Sequence, residues 1–100
     1  MSFPTDTMTK EEAKSKLREI ARVGWIATST HCRQRMSERN ISLEDVENVL
    51  LWGEVTEVVW DNKYQSFKLT VHGQDYDEVD LTIIAAFVDQ NRILCITVHE

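Results

Sequence analysis

The hydrophobic period of this chain changes once, at Gly53, and that change limits what it can fold into. Upstream, apolar residues recur every three or four positions, the spacing that gathers them on one side of a helix. Ala13, Leu17, Ile20, Ala21 and Gly24 form one such stripe, with Lys10, Lys14, Lys16, Arg18 and Arg22 mostly elsewhere on the cylinder. Thr9-Lys10-Glu11-Glu12 has capping-box spacing, so a helix is expected over 10–23. Thr28-Ser29-Thr30 offers caps for a short second helix over about 30–38, which Asn40 ends in a left-handed conformation. Ser42, with Asp45 three residues on, opens a third helix carrying Leu43, Val46, Val49 and Leu50 and stopping at Gly53.

Beyond Gly53 the segments Glu54 to Trp60, Tyr64 to Val71, Val79 to Val88 and Arg92 to His99 are rich in β-branched and aromatic residues. Turn signals separate them at Asp61-Asn62, at His72-Gly73-Gln74-Asp75 and at Asp89-Gln90-Asn91. Connections this short predict an antiparallel meander. The third strand is apolar on both faces in its second half, which predicts a central position. The expected fold class is therefore α+β: three N-terminal helices followed by a four-stranded antiparallel sheet, in two layers. Helices 1 and 3 would meet the sheet through Leu17, Ile20, Val46, Val49 and Leu50.

At 100 residues, 42% hydrophobic and with one Pro, the chain suits one domain over 1–100, with residues 1–8 a flexible leader. Two cysteines are too few for a secreted disulfide framework, and no apolar run reaches the roughly 18 residues of a membrane span. Met1 to Asp6 has neither a basic nor an apolar region of a secretion signal. A cytoplasmic protein with reduced thiols and no membrane partner is expected. Its net charge of −6 is unevenly spread. Residues 1–42 carry eight Lys and Arg against five Asp and Glu, whereas residues 43–100 carry three against twelve. One part could then face an anion and the other something else, or both could be solvated surface.

His31, Arg35 and Arg39 stand four residues apart and share one helix face. Two guanidiniums can fork onto phosphate oxygens, and an imidazole can move a proton near neutral pH. The plainer reading is a solvated face with Arg35 or Arg39 paired to carboxylates. In the second strand Tyr64, Ser66, Lys68, Thr70 and His72 alternate onto one face. Lys68 is a salt-bridge partner or an electrophile for a phosphate, and Tyr64 and His72 could stack on bases or shuttle a proton.

No metal centre or cofactor is expected. Cys95 and His99 share a strand face in simple alternation but lie about 13 Å apart, too far to chelate one ion. Cys95 reads as a buried small hydrophobe. Asp75, Asp77, Glu78 and Asp80 lack the glycine and terminal Glu of a calcium loop. There is no phosphate-binding glycine loop and no Gly-x-Ser-x-Gly elbow.

The run from Ser29 to Ile41, then Asp45-Val46, Leu50, Gly53-Glu54-Val55 and the ending Ile96-Thr97-Val98-His99-Glu100, resembles a small bacterial domain family of poorly defined activity. Its members read His-x-x-x-Arg-Met-x-x-Arg-x-Ile and commonly carry Tyr where this chain has His99. The family is grouped with the RelE/ParE-like toxin superfamily. The resemblance, over about 29–100, implies helices packed on a small antiparallel sheet and a toxin of a type II toxin–antitoxin pair. It also implies a metal-independent endoribonuclease acting on messenger RNA, free or ribosome-associated, with a cognate antitoxin as partner. In that chemistry His31 or His72 would transfer protons, Lys68 would stabilise the phosphate, and Arg35, Arg39 and Tyr64 would hold RNA. The alternative is a binding module of the same fold that acts through a partner protein without catalysis.

Overall fold

The computed structural model describes residues 7–100, so the first six residues of the expected leader lie outside the described residues. Met8, also expected in that leader, packs against the core. In chain order the elements are α1 (Lys10–Val23), β1 (Trp25–Thr28), α2 (Thr30–Arg39), α3 (Leu43–Trp52), β2 (Glu54–Asp61), β3 (Ser66–Gln74), β4 (Asp80–Phe87) and β5 (Arg92–His99).

The helix ends reflect local chemistry. Thr9 and Glu12 form a reciprocal capping box, with the Glu12 N–H donating to Thr9 Oγ1 at 3.0 Å and the Thr9 N–H to Glu12 Oε1 at 2.8 Å. Ser42 and Asp45 repeat the arrangement at α3. Asn40 ends α2 at φ 56°, ψ 43°, the left-handed conformation that Asn tolerates. Gly53 ends α3 at an ordinary φ of −75°, so its role is packing instead. A Cβ there would lie 2.5 Å from Val49 O and 2.8 Å from His72 O.

The sheet differs from the expected four-stranded antiparallel meander. It has five strands in the order β1-β5-β4-β3-β2 and is mixed. β1 lies parallel to β5, with Ile26 beside Ile93 and Thr28 beside Cys95. The helices are therefore not all N-terminal to the sheet, because β1 separates α1 from α2. Four residues are too few to show an alternating period, and the backbone partner of β1 lies in the last strand of the chain. The other three pairings are antiparallel, and β4 is the middle strand of the five.

The second sequence strand also moves. β3 begins at Ser66, because Asp61 Oδ1 draws the Lys63 and Tyr64 N–H groups into a turn in which Gln65 takes φ 50°. It continues through His72, Gly73 and Gln74, which the sequence marks as turn. The turn comes at Asp75 instead, whose Oδ1 accepts from the N–H groups of Asp77 and Val79.

One face of the sheet is buried. Leu69, Val71, Leu81, Ile83, Ala85, Ile93 and Cys95 meet Ala13, Leu17 and Ile20 of α1, Cys32 of α2, and Val46, Val49 and Leu50 of α3 in one core. α2 is tied to β5 through Ser29. Its hydroxyl caps Cys32 N–H at 2.9 Å and donates to Ile96 O at 2.7 Å, and its N–H donates to Cys95 O at 3.0 Å. Leu69→Ala should lower the unfolding free energy by about 2–5 kcal/mol, and Ser29→Ala by about 1 kcal/mol. Both would be read from urea midpoints at unchanged slope, and a Leu69→Ala protein as stable as wild type would contradict this core.

Candidate functional site

With the helices contributing to one core, the opposite face of the sheet has no helix across it among the described residues. Its residues are read from the ladder, since directly paired residues share a face. His72 pairs with Thr82, and Thr82 with His99, so a row His72–Thr82–His99 crosses three strands at one end of this face. His72 Nδ1 lies 3.2 Å from Thr82 Oγ1. The two imidazoles stand two strand spacings apart, roughly 10 Å at the backbone. Thr70 pairs with Ile84 and Ile84 with Thr97 in the next row, and Lys68 with Ala86 and Ala86 with Leu94 in the row beyond.

His99 reaches this face through an irregularity. Ala85 pairs with Cys95, but Ile84 pairs with Thr97, which leaves Ile96 as an extra residue in β5. A bulge of this kind reverses the facing of every later residue in its strand. Cys95 therefore points into the core, Val98 is buried after it, and His99 turns to the open face. The shared face expected for Cys95 and His99 is thus corrected.

The sequence candidates do not all converge. Lys68 shares the face of His72 but sits four residues along β3, about 13 Å away. Its Nζ is 3.1 Å from Asp61 Oδ2. That ammonium, with the N–H groups of Lys63 and Tyr64, holds the Asp61 carboxyl below its ordinary range. Tyr64 lies in the β2–β3 turn, not on a strand face, with Lys63 Nζ 5.4 Å from its ring centre. His31 is exposed in the first turn of α2. Arg35 is half-buried, and its Nε is out of water with no hydrogen-bond partner among the described residues. Arg39 pairs with Glu100 at 3.1 Å, next in sequence to His99. α2 thus flanks the end of β5 that β1 leaves unpaired, and its Arg39 end is the one beside the histidine row. Sequence reasoning missed His99 and Thr82 as members of a polar row; the imperfect alternation of Ile93, Cys95, Ile96 and Val98 was the available signal.

A cleft of about 310 Å³ opens where α3 meets β2 and β3, and His72 lies on its wall. A larger groove of about 580 Å³ runs along the outer side of α1 between Lys14, Arg18 and Arg22. It is bounded by the side chains of that one helix and holds none of the candidate residues. Among the described residues no three His, Cys, Asp or Glu side chains converge as metal ligands, and no helix is long and apolar enough to cross a membrane.

Both thiols are buried. Burial pushes Cys95 up to about 12, with Cys32 adding to the shift, and raises Cys32 against the opposing charge of Arg33. Since the thiolate is the nucleophile, iodoacetamide at pH 8 should label neither cysteine in the folded protein and both in urea; fast native labelling would place a thiol in a site. Asp61 gives a pH signature. A carboxyl depressed in the folded state adds stability that is present above the unfolded value, about 3.9, and is lost as pH falls through the folded one. The urea midpoints of wild type and Asp61→Asn should therefore differ at pH 7 and converge below that value, whereas a constant gap would remove ionisation from the role of Asp61.

Residues 28–100 match the family described as Domain of unknown function (DUF4258). No curated protein and no solved structure matches the chain. The match leaves α1 and the first three residues of β1 outside it. The chain belongs to this family.

Proposed function

We propose that this family member is the toxin of a type II toxin–antitoxin pair and a metal-independent endoribonuclease, with the open face of its sheet as the active surface. The pair of imidazoles flanking Thr82 carries the reading. RNA supplies its own nucleophile, so the protein has only to move protons and stabilise the crowded phosphate. One imidazole takes the proton of a 2′-hydroxyl, whose oxygen bonds to the adjacent phosphorus. The bond from phosphorus to the 5′-oxygen breaks, and that oxygen takes a proton from the other imidazole. The products are a 2′,3′-cyclic phosphate and a 5′-hydroxyl.

Thr82, hydrogen-bonded to His72 Nδ1, orients that ring. Arg35 and Arg39, four residues apart on α2 and with Arg39 at the same end of the sheet as His99, are the groups to hold phosphate. His99 takes the role expected of His31, because it shares a row with His72. Lys68 is farther from that row and neutralised by Asp61. The toxin assignment and the RelE/ParE-like relationship rest on the resemblance of residues 29–100. A cognate antitoxin would silence the enzyme by covering this face, as an ordering segment can cover a large surface.

A second reading has its own observation. Arg39 and Lys68, two cations expected to meet RNA, are paired with carboxylates of the same chain, and residues 43–100 are strongly acidic. A module that binds a partner protein without catalysis suits those pairings. Incubating the purified chain with end-labelled RNA in EDTA separates the two. The ribonuclease should leave 2′,3′-cyclic phosphate ends, and His72→Ala or His99→Ala should slow cleavage by about 10²–10⁴-fold with unchanged circular dichroism. Intact RNA, no binding at low salt, and co-purification of a neighbouring gene's product would establish the module.

A further inference from the structure

We infer that the 310 Å³ cleft beside His72 is a nucleobase subsite and that it takes guanine. The inference deepens the ribonuclease reading and rests on it for the phosphate that lies next to the base. Its floor is backbone. A Cβ on Gly73 would come 3.2 Å from Gly53 Cα, and one on Gly53 would meet His72 O, so the two glycines let α3 close onto β3 without filling the cleft. On its wall stands Trp52, the last residue of α3, 72% exposed although its neighbours Val49 and Leu50 are fully buried. A flat aromatic surface left to water beside a cleft is suited to stacking on a base.

The polar groups of the cleft select which base. Asn48 spends one amide N–H on Gln74 O at 2.9 Å, and Gln74 spends one of its own on Asp80 Oδ1 at 3.3 Å. Each keeps a side-chain oxygen as acceptor. Glu54 has no hydrogen bond or ion pair from its side chain among the described residues, and its carboxylate also only accepts. Asn48 and Gln74 can each also donate one N–H, but the Glu54 carboxylate can only accept, so the occupant that suits it is flat and brings donors. Of the four bases only guanine presents two donor groups side by side, N1–H and N2–H₂, which match the two oxygens of one carboxylate. Adenine and cytosine set a ring acceptor beside their amine, and uracil flanks its single N–H with carbonyls. Lys10 and Lys14 border the far side of Glu54, positive charge that offsets the repulsion of an anionic nucleotide. His72 belongs both to the cleft and to the row with Thr82 and His99, so a guanosine seated here carries its phosphate toward the imidazoles.

Calorimetry of the full chain with 3′-GMP, 3′-AMP, 3′-CMP and 3′-UMP tests the subsite, and mapping of RNA cleavage positions tests the enzyme. 3′-GMP should bind at least roughly tenfold tighter than the other three, and Trp52→Ala should weaken it roughly tenfold with an unchanged melting curve, since the indole is exposed. Glu54→Gln should remove the preference for guanine while leaving the affinity for 3′-AMP. If these results hold and RNA stays intact, the subsite stands and the ribonuclease reading falls. If RNA is cut but the four nucleotides bind alike, or Trp52→Ala changes nothing, the subsite is overturned and the ribonuclease stands. Binding of N-acetylarginine amide in place of 3′-GMP would overturn it in favour of a partner protein's cation.

Discussion

Burial of one side of β4 is the constraint on which the rest depends. Leu81, Ile83, Ala85 and Phe87 alternate along the middle strand and need a cover, which Leu17, Ile20, Val49 and Leu50 provide from two helices. Apolar area removed from water on that scale is the dominant favourable term in a chain of this length. The glycine at the end of α3 is then a packing need, because the helix must close onto β3 before the strands begin. The anchoring of α2 by Ser29 is another, since it satisfies carbonyls at Cys95 and Ile96 where β1 gives out.

Covering one face commits the other to solvent or to a partner. The open face is no ordinary polar surface: Ala86 and Leu94 lie in the row of Lys68 at one end, while hydroxyls and imidazoles collect at the other. That segregation makes one end of the sheet a candidate for chemistry. His72, Thr82 and His99 come from three strands, and no two of them are neighbours in sequence. A row of this kind is held by backbone ladders on both sides, so its geometry has the rigidity that proton transfer at a fixed phosphate requires.

The charges tell a more divided story. The N-terminal part supplies a cationic α1 and α2, and the sheet supplies the carboxylates. Among the described residues one ion pair joins the two parts, Arg39 with Glu100, while Lys68 with Asp61 and Arg92 with Asp89 pair within the sheet half. Exposed pairs like these add little stability, but they remove cations that an RNA backbone would otherwise find. Arg35, like Arg18 on α1, has an Nε out of water with no hydrogen-bond partner among the described residues. On the proposed ribonuclease reading, RNA binding would depend on base contacts and a few well-placed groups more than on a broad positive field.

Local rules were sufficient for the helices. The capping boxes at Thr9 and Ser42 and the left-handed Asn40 rest on contacts within a few residues, so the sequence specified them unaided, whereas the stop at Gly53 coincides with a close approach to His72 that only the packed sheet creates. The apolar character of residues 79–88 likewise pointed to a central strand, since only a strand buried on both flanks tolerates it. β1 was different, because four residues carry no period and their hydrogen bonds come from β5 across most of the chain. The site was different for the same reason. Alternation alone set His99 beside Cys95; the extra residue at Ile96 reversed the parity and brought it to Thr82. A bulge depends on which carbonyls and amides of two distant strands find each other, and that pairing exists only once the sheet has formed.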